Sequence, residues 1–128
     1  MIIGVGIDIV KLSHFRQKIN KGGVAFVKKV FSCKEQELVL RIAKTRRVNY
    51  YAKRYAAKEA FVKAIGTGFG PIGLQDVWVE NLASGQPVIM LSETARKYLK
   101  KKYKSLPNIH LSLSDDEDAV AIVVLEQN

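Results

Sequence analysis

Residues 109–125, Ile-His-Leu-Ser-Leu-Ser-Asp-Asp-Glu-Asp-Ala-Val-Ala-Ile-Val-Val-Leu, decide how this chain folds. Ile109, Leu111 and Leu113 alternate with His110, Ser112 and Ser114, the period of a strand with one buried face. The acidic run Asp115 to Asp118 turns the chain, and Val120, Ile122 and Val124 form the return strand of a hairpin. That return strand is apolar on its other face too, through Ala121, Val123 and Leu125. One layer of helices covers one such face, so the second is expected either to meet neighbouring subunits or to lie under the domain's own loops.

Working outward, residues 2–10 alternate in the same way, with Ile3, Val5, Ile7 and Ile9 on one face and Gly4, Gly6 and Asp8 on the other. This predicts a strand with a buried apolar side. Leu12, Phe15 and Ile19 recur at helical spacing up to Gly22-Gly23, and Phe26, Val27 and Val30 suggest a short second helix. Ser32 followed by Glu35 is a capping-box pattern that starts a helix carrying Leu38, Val39 and Ile42. A long helix is predicted from about Val48 to Ile65, stopped by Gly66, Gly68 and Gly70. Val77 to Glu80 and Val88 to Leu91 read as strands around a turn at residues 83–86, and Ser92 caps a further helix. The expected architecture is one α+β domain over residues 1–128, a mostly antiparallel sheet with helices packed on one side.

Composition narrows the function. At 128 residues, 48% hydrophobic and 26% charged, the chain is an ordinary globular domain rather than a disordered one. Its single cysteine, Cys33, excludes an internal disulfide framework and a cysteine-based zinc site and suits a reducing compartment. No apolar run is long enough to span a membrane, and the first ten residues lack a basic leader, so a cytoplasmic protein is expected. The net charge of +9 is concentrated: residues 11–63 hold fifteen basic residues against three acidic ones, while residues 105–128 hold five acidic and no basic ones. Such asymmetry points to a polyanionic partner: nucleic acid, an acidic protein or a phosphate-rich small molecule.

Two carboxylates stand out. Asp8 lies in the middle of an apolar strand, where it either points to solvent or, beside Gly4 and Gly6, faces a ligand or another chain that approaches the bare backbone. Glu59 lies in Ala56-Ala57-Lys58-Glu59-Ala60-Phe61, with Arg54, Lys58 and Lys63 on successive turns of the same helix. Glu59 and Lys63, four residues apart, form a surface ion pair on one reading. On the other, two isolated carboxylates with flanking cations make a metal and phosphate site, since magnesium takes one or two carboxylates plus phosphate oxygens. The glycines at 66, 68 and 70 end a helix rather than open one, so they are not a Walker loop.

Three segments together resemble a known family. Gly4-Val5-Gly6-Ile7-Asp8-Ile9-Val10, Arg54-Tyr55-Ala56-Ala57-Lys58-Glu59-Ala60-Phe61-Val62-Lys63-Ala64 and His110-Leu111-Ser112-Leu113-Ser114 are similar to the short phosphopantetheinyl transferases, the holo-acyl-carrier-protein synthases. The resemblance implies transfer of the phosphopantetheine arm of coenzyme A to a serine of an acidic acyl carrier protein, with release of adenosine 3',5'-bisphosphate. It implies magnesium held by Asp8 and Glu59, Lys63 at the phosphate under attack, and Glu59 as acceptor of the serine proton. Arg54, Lys58, Gly66 and His110 match positions that hold the nucleotide and its phosphates. It also implies a cyclic homotrimer with sites between subunits, without nucleic acid or membrane as partner. Asp115, where many members have histidine, and Lys11, where many have an acidic residue, depart from the pattern. The rival expectation is a small basic RNA-binding module that stacks bases on Tyr50, Tyr51 and Tyr55. It gives Asp8 and Glu59 no work.

Overall fold

The computed structural model describes all 128 residues. Strand β1 (Ile2–Lys11) runs straight into helix α1 (Leu12–Val30), followed by α2 (Cys33–Leu38) and the long α3 (Arg47–Ile65). Strands β2 (Val77–Asn81) and β3 (Pro87–Leu91), helix α4 (Glu93–Tyr103), and strands β4 (Asn108–Asp115) and β5 (Asp118–Glu126) complete the chain. All strand pairs are antiparallel, as expected, but they divide into two sheets: β1-β5-β4 and the hairpin β2-β3.

Helix α3 crosses the three-stranded sheet and is the centre of the core. Ala56, Ala57, Ala60, Phe61 and Val62 on the helix are buried with Ala121, Val123 and Leu125 of β5. The second cluster, around Phe15, Phe31 and Tyr51, seats α1 and α2 against the first half of α3.

The face of β1 that the helix covers is the reverse of the sequence expectation. Val5, Ile7 and Ile9 are between 57% and 64% exposed, whereas the row of Gly4, Gly6 and Asp8 turns toward α3. Helix and strand lie too close for side chains: a Cβ on Gly6 would stand 1.9 Å from the Ala60 carbonyl oxygen, and one on Gly4 would stand 2.2 Å from that of Ala64. Alternation shows which residues share a face; it does not show which face the rest of the chain reaches.

The helix ends follow local chemistry. The Ser32 hydroxyl accepts from the Glu35 amide at 3.2 Å, and the Glu35 carboxylate accepts from the Ser32 amide at 3.1 Å, the predicted capping box. That helix stops at Leu38, earlier than predicted, and gives way to two short 3-10 turns at Val39–Arg41 and Lys44–Arg46. The predicted break at Gly22-Gly23 is a kink inside α1, with Gly23 at φ 54° and ψ −142°, a conformation open to glycine alone. Ser92 caps α4 by accepting from the Ala95 amide at 3.2 Å.

Gly6→Ala should force α3 off β1, because the obstructing atoms belong to helix backbone and cannot swing aside. Overpacking of this kind costs about 1–3 kcal/mol. Thermal unfolding should show a midpoint several degrees lower, with more loss of activity than of folded protein, since the shift also separates Asp8 from α3.

Candidate active site

The close approach of β1 and α3 brings Asp8 to the helix. Lys63, near the C-terminal end of α3, donates to Asp8 Oδ1 at 3.0 Å and to the Ile7 carbonyl at 3.1 Å. Glu59, one turn earlier, opens into the same cleft as Asp8. This cleft, about 350 Å³, is also lined by Lys11, His14, Lys18 and Tyr55. The sequence left open whether Asp8 faces water and whether Lys63 pairs with Glu59. In the fold Asp8 faces the helix, and Lys63 pairs with it rather than with Glu59.

Tyr55 is the cleft residue that sequence reasoning assigned to another purpose. Its ring packs 5.5 Å from Phe15, and the Lys18 ammonium lies 5.6 Å from its centre. Burial, then the Glu59 carboxylate beside it and more weakly Asp8, push its phenol up to about 12. It therefore stays a neutral hydroxyl next to Glu59. Its position one helical turn before Glu59 is the signal that placed it there.

Arg54 occupies a different place. It is buried, stacks 3.7 Å from the Tyr50 ring centre and donates to Asn81 Oδ1 at 3.0 Å, while its Nε has no partner in the chain. Around it Lys34, Arg41 and Lys53 line a basic hollow of about 580 Å³ with Tyr50, Glu80 and Asn81. His110 sits on the outer face of the three-stranded sheet, exposed, with Nε2 2.9 Å from Glu126 Oε1. Gly66 is the left-handed residue that closes α3, at φ 87°. Asp115 accepts from Asn49 Nδ2 at 2.9 Å and pairs with Lys53 at 3.2 Å. The Asn49 hydrogen bond, followed by Lys53 and Arg46, holds its carboxyl below the usual range.

Lys58 corrects the sequence expectation. Its ammonium is fully buried, 2.7 Å from Glu35 Oε1, and donates to the carbonyls of Leu74 (2.9 Å) and Val77. All three donors are used inside the core, so none is available to a phosphate. Lys58 was expected to hold the nucleotide and its phosphates, but it stands five residues before Lys63, and 100° per residue turns it about 140° away from Lys63, into the core. Glu35, read from sequence only as half of a capping box, is its counter-ion and also accepts from the Val79 amide at 3.3 Å. Among the site residues, one chain thus brings together Asp8, Glu59 and Lys63, and leaves Arg54 and His110 elsewhere.

The RNA-binding expectation loses its footing here as well. Tyr50 and Tyr51 are 6% and 8% exposed, packed against Phe31 and each other, and offer no open ring for a base.

A model of the 4'-phosphopantetheinyl transferase superfamily matches residues 4–123. The holo-[acyl-carrier-protein] synthase of Ruthia magnifica is 46% identical over 128 residues, 98% of either chain. That of Zymomonas mobilis is 42% identical over 131 residues, 98% of this chain and 97% of its own. The fold matches the crystal structure of the synthase from Neisseria meningitidis with a TM-score of 0.92 at 35% identity, over 99% of this chain and 100% of that one. It also matches the Bacillus anthracis synthase in complex with coenzyme A (3',5'-ADP), with a TM-score of 0.82 at 32% identity over 100% and 99% of the two chains. The chain belongs to the 4'-phosphopantetheinyl transferase superfamily and, within it, to the holo-acyl-carrier-protein synthases.

The buried pair yields a stability prediction. Lys58→Met alone strands the Glu35 carboxylate in the core and should cost about 3–5 kcal/mol in urea unfolding. Glu35→Leu with Lys58→Met removes both charges and should recover most of that loss. Coenzyme A affinity of the folded double variant should stay close to that of the parent, because Lys58 faces the core.

Proposed function

We propose that this chain is a magnesium-dependent transferase that moves the phosphopantetheine arm of coenzyme A to a serine hydroxyl of apo acyl carrier protein. The products are holo carrier protein and adenosine 3',5'-bisphosphate, in support of fatty-acid biosynthesis in the cytoplasm. The observation that carries the reading is the meeting of Asp8, Glu59 and Lys63 across the β1–α3 contact. The names of the relatives and the coenzyme A complex of the Bacillus anthracis synthase support the substrates.

Two carboxylates from separate elements on one cleft, with room for substrate oxygens, fit a hard divalent cation, and the Lys63 ammonium already marks Asp8 as a cation position. Asp8 and Glu59 would hold magnesium, which supplies charge neutralisation to the diphosphate of coenzyme A. The serine oxygen forms a bond to the phosphorus nearer the pantetheine, and the bond from that phosphorus to the bridging oxygen breaks. Glu59 accepts the serine proton. Lys63 meets the charge that grows on the phosphates during transfer, so it acts on the chemical step. Gly66, at the turn that follows Lys63, lets a phosphate approach the backbone closely.

Arg54 and His110 enter through a second subunit. The outer sheet face carries Val5, Ile7 and Ile9 of β1 beside Val124, Ile122 and Val120 of β5, an exposed apolar patch bordered by His110, Ser112 and Ser114. A homotrimer built on this face buries the patch and brings the nucleotide-binding groups Arg54 and His110 toward a neighbour's Asp8 and Glu59. The acidic carrier protein docks on the exposed cations of α1, namely Arg16, Lys18, Lys21, Lys28 and Lys29, beside the mouth of the cleft.

The transfer is tested by mass spectrometry. Apo carrier protein incubated with coenzyme A, magnesium and this enzyme should gain the mass of one phosphopantetheine. Asp8→Asn and Glu59→Gln should fold normally and slow the gain at least about a hundredfold, as removal of a transition-state charge partner does. Normal activity in both variants overturns the metal reading.

Subunit sharing is tested by mixing. Asp8→Asn chains combined with His110→Ala chains should regain part of the activity that each lacks alone, and light scattering should give three chains per particle. A fully active monomer at assay concentration excludes the shared site.

A further inference from the structure

We infer that Lys63 is a resident competitor for Asp8, displaced from it when a divalent ion and the substrate diphosphate arrive together. The inference rests on the reading of Asp8 and Glu59 as the metal site and adds to it a coupling between the two ligands. The ammonium lies 3.0 Å from Asp8 Oδ1, anchored further by the Ile7 carbonyl at 3.1 Å, and Lys63 is the only ion-pair partner that Asp8 has in the chain. The Asp8 carboxylate is 15% exposed, so solvent screens this pair less than a surface pair, while the Lys63 side chain is 52% exposed and free to swing.

A divalent ion bound at the same carboxylate would stand within a few ångströms of that ammonium, and two like charges at this distance repel. The metal alone therefore binds against Lys63. A diphosphate changes the balance, because it offers the ammonium more negative charge than a carboxylate already shared with a metal. Lys63 then leaves Asp8 for the phosphate on which it acts. Metal and coenzyme A each improve the affinity of the other, and part of that improvement is the released lysine. The exposed, four-carbon stem makes the move a rotamer change that leaves the backbone of α3 in place.

The probe is Mn²⁺, which accepts the same oxygen ligands, followed by the electron paramagnetic resonance signal of the unbound ion in the absence and presence of adenosine 3',5'-bisphosphate and coenzyme A. Lys63→Met and Lys63→Gln, both at an exposed side chain, should bind Mn²⁺ alone roughly two- to fivefold more tightly than the parent, the range expected for release of such a pair. Both should also show a smaller gain in Mn²⁺ affinity on adding coenzyme A. Lys18→Met, which removes a cation from the same cleft that is not paired with Asp8, should tighten Mn²⁺ binding less than either Lys63 variant. Equal or weaker Mn²⁺ binding by the Lys63 variants, or equal tightening by Lys18→Met, overturns the inference. Asp8→Asn separates the two readings: if it abolishes Mn²⁺ binding while the Lys63 variants bind like the parent, the metal site stands and the competition fails. If Asp8→Asn binds Mn²⁺ like the parent, the metal site itself is wrong.

Discussion

The contact between β1 and α3 at Gly4 and Gly6 is the constraint on which the rest of the structure depends. A strand and a helix normally keep side chains between them. Here the carbonyls of Ala60 and Ala64 occupy the space where two Cβ atoms would be. Because strand residues alternate, the closeness won at 4 and 6 passes to residue 8, whose carboxylate faces the last turns of the helix. Asp8 meets Lys63, and opens into one cleft with Glu59, because the two residues before it on that face have no side chains.

Helix α3 distributes its cations by rotation. Lys63 and Glu59 lie on the side that β1 and the cleft share, while Lys58 points into the opposite layer. There it binds Glu35 and two carbonyls and ties α2 and β2 to the helix. A buried ion pair gains stability only when its remaining donors and acceptors are satisfied, and this one is. The pair also fixes α3 about its axis, since a small roll would break three bonds of Lys58 at once. Lys58 thus belongs to the packing of the helix rather than to contact with a ligand.

The outward face of β1 and β5 carries the other half of the strand alternation. Val5, Ile7, Ile9 and Ile122 are exposed there beside the half-buried Val120 and Val124, a patch unfavourable in water, and its neighbour His110 lies on the side of the sheet away from Asp8. The same alternation that sends Asp8 toward the helix leaves Val5, Ile7 and Ile9 exposed on the opposite face. Both follow from the period of a strand and from which of its faces the helix covers.

Much of this was legible in the sequence by itself. The hairpin of residues 108–126, the capping box of Ser32 and Glu35, the long helix ending at Gly66 and the break at Gly23 are local events. They are written in periodicity, cap chemistry and glycine placement over a few residues. Asp8, Glu59 and Lys63 were legible too, because a carboxylate in an apolar strand and a charged turn in an alanine-rich helix stand out from their surroundings. What only the tertiary structure decided were matters of facing. It decided that the glycine row of β1 is the covered one, that Lys63 pairs with Asp8 rather than Glu59, that Lys58 belongs to the core, and that Tyr50 and Tyr51 are packed away. The physical reason is that periodicity specifies the relative orientation of residues within one element. Which face becomes the inside is set by the distance at which another element can pack, a property of two segments of chain together.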